Sequence, residues 1–235
     1  MRITGCEILH CNAGWRDFSF LKLTTDENIT GIAEFNECYG SPGLSGVIRR
    51  LVDRIKDMDA IAHERIHQYL YAATRQAPGG VNQQAIATIE NALLDIKGKA
   101  FNVPVYDLLG GAIRQEIPVY WSHCGTYLIR PEIAELCGVE PLQTIDDLIK
   151  LGRRVSDGGY TGLKTNMITF DQDGKIGRHA PGFAAAPGWP DLNTPSDLVE
   201  QLRNQLMAMA EGAGPDVGLR LDLNFNCKPQ GYRQI

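Results

Sequence analysis

The sequence predicts an α+β segment over residues 1–115 followed by an α/β segment over residues 116–235. Two observations carry this. Three β-type stretches come first and three helical stretches follow, and strands segregated from helices make an α+β layer. After residue 115 the rhythm changes to strand, helix, strand, helix, strand, which requires parallel pairing through crossover helices.

The elements follow in order. Residues 2–10 and 17–25 read as strands and "GIAEFNE" (31–37) as a third, with "TTDEN" (24–28) turning the chain between the last two. "GLSGVIRRLVDRIKDM" (43–58) is an amphipathic helix, and "AHERIHQYLYAAT" (62–74) sets Ile66, Tyr69 and Leu70 on one side. "VNQQAIATIENALLDIKGKA" (81–100) repeats Ile86, Ile89, Leu93 and Ile96 at helical spacing. In the second segment "IPVYWS" (117–122) reads as a strand, "TIDDLIKLGRRVSDGG" (144–159) as a helix and "GLKTNMI" (162–168) as a strand. A helix over 195–214 and the strand "VGLRLDLNF" (217–225) complete the alternation. The Gly- and Pro-rich stretch from about 170 to 194 is longer than ordinary connections and is expected to be functional or loosely ordered. Three β-units do not close a barrel, and the third would leave an open edge. The expectation is a missing partner half or a piece of a longer chain.

Composition excludes several classes. With 235 residues, 43% hydrophobic, 22% charged and a formal charge of −5, the chain is an ordinary globular protein. Neither nucleic acid nor an anionic membrane surface is expected as partner. No signal-peptide run opens the chain and no stretch approaches bilayer-spanning length. The six cysteines (Cys6, Cys11, Cys38, Cys124, Cys137, Cys227) form no CxxC pair, which suits reduced thiols in a cytoplasmic protein.

Chemistry-bearing residues gather at strand ends. Lys164 and Asn166 stand two apart in "YTGLKTNMITF", so a strand aims both at one face. That is either an ammonium and an amide entering a site together or an edge strand meeting water. Asp222 ends the apolar strand in "LRLDLNFN", as a turn or cap residue or as a metal ligand; Asn224 follows on the same face. His123, in "WSHCG", reaches a substrate or is an idle loop residue. Trp15 and Arg16, in "CNAGWRDF" between the first two strands, form a lid or a plain hairpin tip. His179 and Trp189 in the long loop are weaker wall candidates. His63 and His67 lie four apart on one helix and, like His10, are read as surface residues without a further ligand pattern. No Ser-His-Asp arrangement, P-loop or zinc spacing is read.

The stretch "IATIENALLDIKGKAFNVPVYDLLGG" (86–111), followed by "IPVYWS", closely resembles the join between capping domain and barrel in the mandelate racemase and muconate-lactonizing branch of the enolase superfamily. "LKTN" and "LRLDLNFN" resemble its second and third barrel strands. The resemblance spans essentially the whole chain. It implies a capping domain over 1–115 and the first part of a modified TIM-type (β/α) barrel over 116–235, incomplete in this chain, with the chemistry at strand carboxyl ends. It also implies removal of the proton alpha to a carboxylate, with Mg²⁺ as cofactor. Asp222 looks like the first of three carboxylate ligands and Lys164 like the electrostatic helper of the substrate carboxylate. Asn166 stands where racemases of this branch carry a second lysine, and an amide takes no proton at neutral pH. Trp15, Arg16, His123 and Asn224 are the substrate-binding candidates.

The implied function is Mg²⁺-dependent dehydration of a sugar-derived acid, with a small carboxylate as partner and a homo-oligomeric assembly. A racemase, epimerase or cycloisomerase is the alternative within enzymes. A catalytically inactive fragment acting as an assembly module is the alternative outside them.

Overall fold

A computed structural model describes residues 1–38, 40–171, 173–183 and 194–235. The chain divides into two compact units, Met1–Gln115 and Glu116–Ile235.

In the first unit β1 (Ile3–Asn12), β2 (Asp17–Thr25) and β3 (Thr30–Phe35) form an antiparallel sheet in the order β1-β2-β3. Helices α1 (Leu44–Asp53), α2 (His63–Ala73), α3 (Gly80–Phe101) and the short α4 (Val105–Leu108) follow. Alternation in β2 buries Leu21 and Leu23, and the stripe Ile86, Ile89, Leu93 and Ile96 of α3 joins them in one core. Gly31 permits the contact, because a Cβ there would overlap the Ala92 carbonyl of α3. The helix read over 43–58 stops at Asp53. Beyond it the backbone turns back to β1: the Ile3 N–H donates to the Met58 carbonyl at 3.1 Å and the Asp57 N–H to the Ile3 carbonyl at 2.9 Å. Asp57 takes a left-handed conformation, φ 64°, to make that turn.

The second unit contains α5 (Pro131–Leu136), α6 (Ile145–Asp157), β4 (Gly162–Thr165), β5 (Ile168–Phe170), β6 (Ile176–Arg178), α7 (Leu198–Ala213), β7 (Gly218–Leu221) and α8 (Pro229–Gln234). β4 and β7 pair in parallel, and Trp121 forms a parallel bridge to Leu163 on the other side of β4. α6 and α7 cover this sheet as crossovers. The strand read over 117–122 reduces to Trp121. Pro118 has no N–H to give a ladder, and Ile117 and Val119 stay exposed. The strand read over 217–225 ends at Leu221, so Asp222 and Asn224 lie in the turn that follows. In the long loop, β5 and β6 make an antiparallel hairpin. Trp189 lies outside the described residues.

A capping box starts α6. The Thr144 hydroxyl accepts from the Asp147 N–H at 3.3 Å and the Asp147 carboxylate accepts from the Thr144 N–H at 3.0 Å. The Lys150 ammonium, against burial and with the Gln143 and Thr144 N–H groups, holds the Asp147 carboxyl down at about 2. A carboxyl depressed in the folded state contributes stability above its unfolded value of about 3.9, and the contribution is lost as pH falls toward about 2. Thr144→Ala is expected to cost about 1 kcal/mol in urea denaturation at neutral pH. Asp147→Asn should flatten the loss of stability between about pH 4 and 2; an unchanged acid limb would show that Asp147 adds nothing.

Candidate active site at the carboxyl ends of the parallel strands

Three adjacent parallel segments end together: residues 121–123, β4 and β7. Backbone bonds tie them, with the Cys124 N–H on the Lys164 carbonyl at 2.8 Å and the Asp222 N–H on the Thr165 carbonyl at 2.8 Å. Their ends carry His123, Lys164, Asn166 and Asp222 as a connected group. The Lys164 Nζ donates to Asp222 Oδ2 at 3.0 Å. Side-chain exposures of 23% and 29% leave this pair partly exposed, neither sealed nor freely solvated.

Asn166 is buried and both ends of its amide are engaged. Its Nδ2 donates to the Asp222 carbonyl at 3.1 Å, so its Oδ1 faces the other way and accepts from Thr126 Oγ1 at 2.8 Å. The remaining contact of that oxygen, 3.1 Å to His123 Nδ1, requires the proton on Nδ1. Neutral His123 therefore keeps its Nε2 lone pair as an acceptor. β4 ends at Thr165, so Asn166 lies just past the strand and strand alternation does not place it; its Nδ2 and the Lys164 Nζ both meet Asp222 all the same.

Burial pushes the Asp222 carboxyl up, but the Lys164 bond, the Asn224 N–H and the charge of Lys164 hold it below its ordinary value overall. Asp222 thus stays an anion with hard oxygen donors. Asn224 sits in the left-handed region, φ 50°, and donates its N–H to Asp222 Oδ1 at 3.0 Å. It shares the site through this turn rather than through strand alternation, which corrects the same-face expectation. The thiol of Cys124, beside His123, is pushed up to about 12 by burial, with Arg154 opposing, so it stays protonated.

Sequence reasoning missed two residues. Gln205 of α7, fully buried, donates Nε2 to Thr165 Oγ1 at 3.1 Å and to the Asn166 carbonyl at 2.8 Å. Its Oε1 accepts from the Ile168 N–H at 3.0 Å. Thr126 is the other, through its bond to Asn166. A glutamine inside the buried stripe Leu198, Leu202, Gln205 and Met209 was a signal the sequence carried; Thr126 had none.

Trp15 and Arg16 lie in the first unit, in the β1–β2 hairpin turn. The Asn12 Nδ2 donates to Asp17 Oδ1 at 2.6 Å to close the turn, and the Arg16 guanidinium lies 4.6 Å from the Phe18 ring centroid and 5.5 Å from that of Trp15. His179 follows β6 and lines a cleft with Thr169, Phe170, Pro195, Asp197 and Gln201. His10 bonds Ser19 through Nδ1 at 3.0 Å.

The model for "Mandelate racemase / muconate lactonizing enzyme, N-terminal domain" matches residues 11–110. A solved structure from Burkholderia xenovorans strain LB400, whose proposed activity is L-alanine-DL-glutamate epimerisation, superposes with a TM-score of 0.91 at 42% identity, covering 100% of this chain and 59% of that one. Residues 11–110 thus match the N-terminal domain of the mandelate racemase/muconate-lactonizing branch of the enolase superfamily. Two curated relatives extend the picture. A D-galactonate dehydratase from Xanthomonas axonopodis pv. citri is 36% identical over 127 residues, 51% of this chain and 31% of that protein. A D-galactonate dehydratase family member from Streptomyces bingchenggensis is 30% identical over 237 residues, 97% of this chain and 53% of that protein. The chain thus spans about half, or less, of the length of the curated relatives it matches. The Burkholderia protein has also been solved bound to magnesium and fumarate. Members of this superfamily among the relatives are enzymes, dehydratases and epimerases, and the α+β unit followed by an α/β unit agrees with the enolase-type plan. Among the described residues no helix is long and apolar enough to cross a membrane.

Proposed function

We propose that the strand-end group serves an enzyme that dehydrates a sugar-derived hydroxy acid after removing the proton alpha to its carboxylate. The observation that carries this is the Lys164–Asp222 pair beside an Asn166 whose amide nitrogen and oxygen are both bonded to the protein. A racemase of the two-base type needs a proton acceptor where Asn166 stands, and an amide supplies none. Loss of a beta hydroxyl needs a base on one face only.

The donor set suits a hard divalent cation in kind: Asp222 is ionised, partly exposed, and presents carboxylate oxygens. Asp222 would hold Mg²⁺, which when bound would draw in the substrate carboxylate and offset its growing charge. Lys164 leaves Asp222 for a substrate carboxylate oxygen and stabilises the enolate as it forms. His123, its Nδ1–H fixed on Asn166, accepts a substrate hydroxyl at Nε2. Asn166, Thr126 and Gln205 hold the strand ends in register. Overall, the alpha C–H bond breaks to a protein base, the beta C–O bond breaks with release of water, and the enol becomes a 2-keto-3-deoxy acid.

The proposed lid, Trp15 and Arg16, gives a checkable figure. Arg16→Ala is expected to reduce kcat/KM on the best acid about 10-fold, the loss of one charged hydrogen bond. A change under about twofold would leave these residues a hairpin tip.

The 42% identity to the Burkholderia protein favours epimerisation as a second reading. Incubating the protein with a panel of sugar acids and dipeptides in D₂O with Mg²⁺ separates the two. Dehydration gives a keto acid detectable by semicarbazide. Epimerisation gives alpha-deuterated substrate of both configurations with no loss of water, and that result would overturn the dehydratase proposal.

A further inference from the structure

Residues 63–67 spell His63-Glu64-Arg65-Ile66-His67, and this segment opens α2. A His-Glu-x-x-His helix puts two imidazoles on one face, the spacing of a transition-metal site. In the sequence no further ligand pattern accompanies the two histidines, which reads as a surface face. The structure supplies a further partner. Ile66 and Leu70 of α2 and Ile86, Ile89 and Leu93 of α3 share one core, and this packing brings Glu90 of α3 against the histidines.

We propose that His63, Glu64 and Glu90 form a binding site for a divalent ion of the Zn²⁺ class, independent of the strand-end site and of the activity proposed for it. One ligand atom from each lies within 4.8 Å of those of the other two. A tetrahedral ion with bonds of about 2.0–2.1 Å needs its ligands about 3.3 Å apart, so small side-chain rotations close the set. His63 Nε2 already lies 3.7 Å from Glu64 Oε1. His67 Nδ1 stands 2.9 Å from Glu90 Oε2; a proton on that nitrogen would orient the carboxylate and leave its second oxygen to the ion. Glu64 is the exposed ligand, at 76%, and leaves the site open to entry from solvent. A mixed imidazole and carboxylate set selects a borderline ion, whereas the strand ends offer Asp222 oxygen to a harder one.

Lys97 opposes binding. Its Nζ lies 3.4 Å from His63 Nδ1 and can donate only when that nitrogen is unprotonated, which leaves the proton on Nε2. Loading the ion on Nε2 moves the proton to Nδ1 and breaks the contact. The site is therefore a modest binder that fastens α2 to α3, and Glu64, being a ligand, performs no base chemistry.

The test is Zn²⁺ titration by calorimetry, in a background where the exposed thiols Cys11, Cys38 and Cys137 are replaced by Ser so that they do not compete. One ion should bind and raise the Tm, with Mg²⁺ having no such effect. His63→Ala and Glu90→Gln should each abolish both effects, and His67→Ala should weaken binding about 10-fold. Lys97→Met, which leaves every ligand in place, should tighten it, a gain that no misfolded variant imitates. Zn²⁺ binding that survives His63→Ala and Glu90→Gln would overturn the proposal. So would absence of binding in the thiol-free protein and its Lys97→Met variant, which would leave these side chains as an interhelical hydrogen-bond network.

Discussion

Lys164→Ala is expected to lower kcat/KM on the preferred acid about 100- to 1,000-fold without unfolding the protein, the loss typical when a charge aimed at a developing anion is removed. The ammonium is partly buried and 3.0 Å from Asp222, so the backbone that carries it is already placed by β4 and β7. The same substitution should let the Asp222 carboxyl rise, because burial alone pushes it up and Lys164 supplies much of the opposing pull. Carboxyl NMR of the two proteins reads that shift directly. The sign follows from linkage: a depressed carboxyl contributes stability above its unfolded value and loses it in acid, so the variant should lose less on acidification. A decrease in kcat/KM under about tenfold would remove Lys164 from the chemistry.

Gly212→Ala is expected to destabilise the second unit by about 1–3 kcal/mol. Elsewhere, an exposed helical glycine replaced by alanine gains about 1 kcal/mol, so the sign is informative. α6 and α7 touch through glycines. A Cβ at Gly212 would overlap the Ile149 carbonyl oxygen, and one at Gly152 would overlap the Met209 carbonyl oxygen. Both obstacles are backbone and cannot rotate away. Because α7 also carries Gln205, whose amide bonds the Asn166 carbonyl, spreading the helices should loosen the strand ends too. Urea denaturation checks the stability; a neutral or stabilising Gly212→Ala would mean the helices separate at little cost.

Much of the fold was legible because periodicity is a property of burial. The three strands of the first unit and helices α3, α6 and α7 each keep one apolar face, and their extents match the sequence reading to within a few residues. The overlong strands failed for a different reason. "IPVYWS" and "LRLDLNF" have the composition of strands, but a strand persists only where a neighbour accepts its ladder, and pairing stops at Trp121 and Leu221. The β5–β6 hairpin was hidden because a three-residue strand leaves too little alternation to read. At the site, Lys164 and Asp222 were legible as charges at strand ends, while the role of Asn166 was not. Its environment is made by Thr126 and Gln205, 40 and 39 residues away in sequence. His63, Glu64 and Glu90 show the converse: the first two are adjacent in the chain, but only helix packing brings the third residue to them.

The central claim is that Asp222 anchors a divalent cation at these strand ends. Titrating the isotope-labelled protein with Mn²⁺, a paramagnetic stand-in for Mg²⁺, reads weak binding by local broadening of amide signals. Broadening should centre on Asp222, Asn224 and Lys164, be displaced by excess Mg²⁺, and vanish from them in Asp222→Asn while the remaining spectrum stays folded. Broadening there that persists in Asp222→Asn, or a titration that leaves these three amides untouched, would contradict the account.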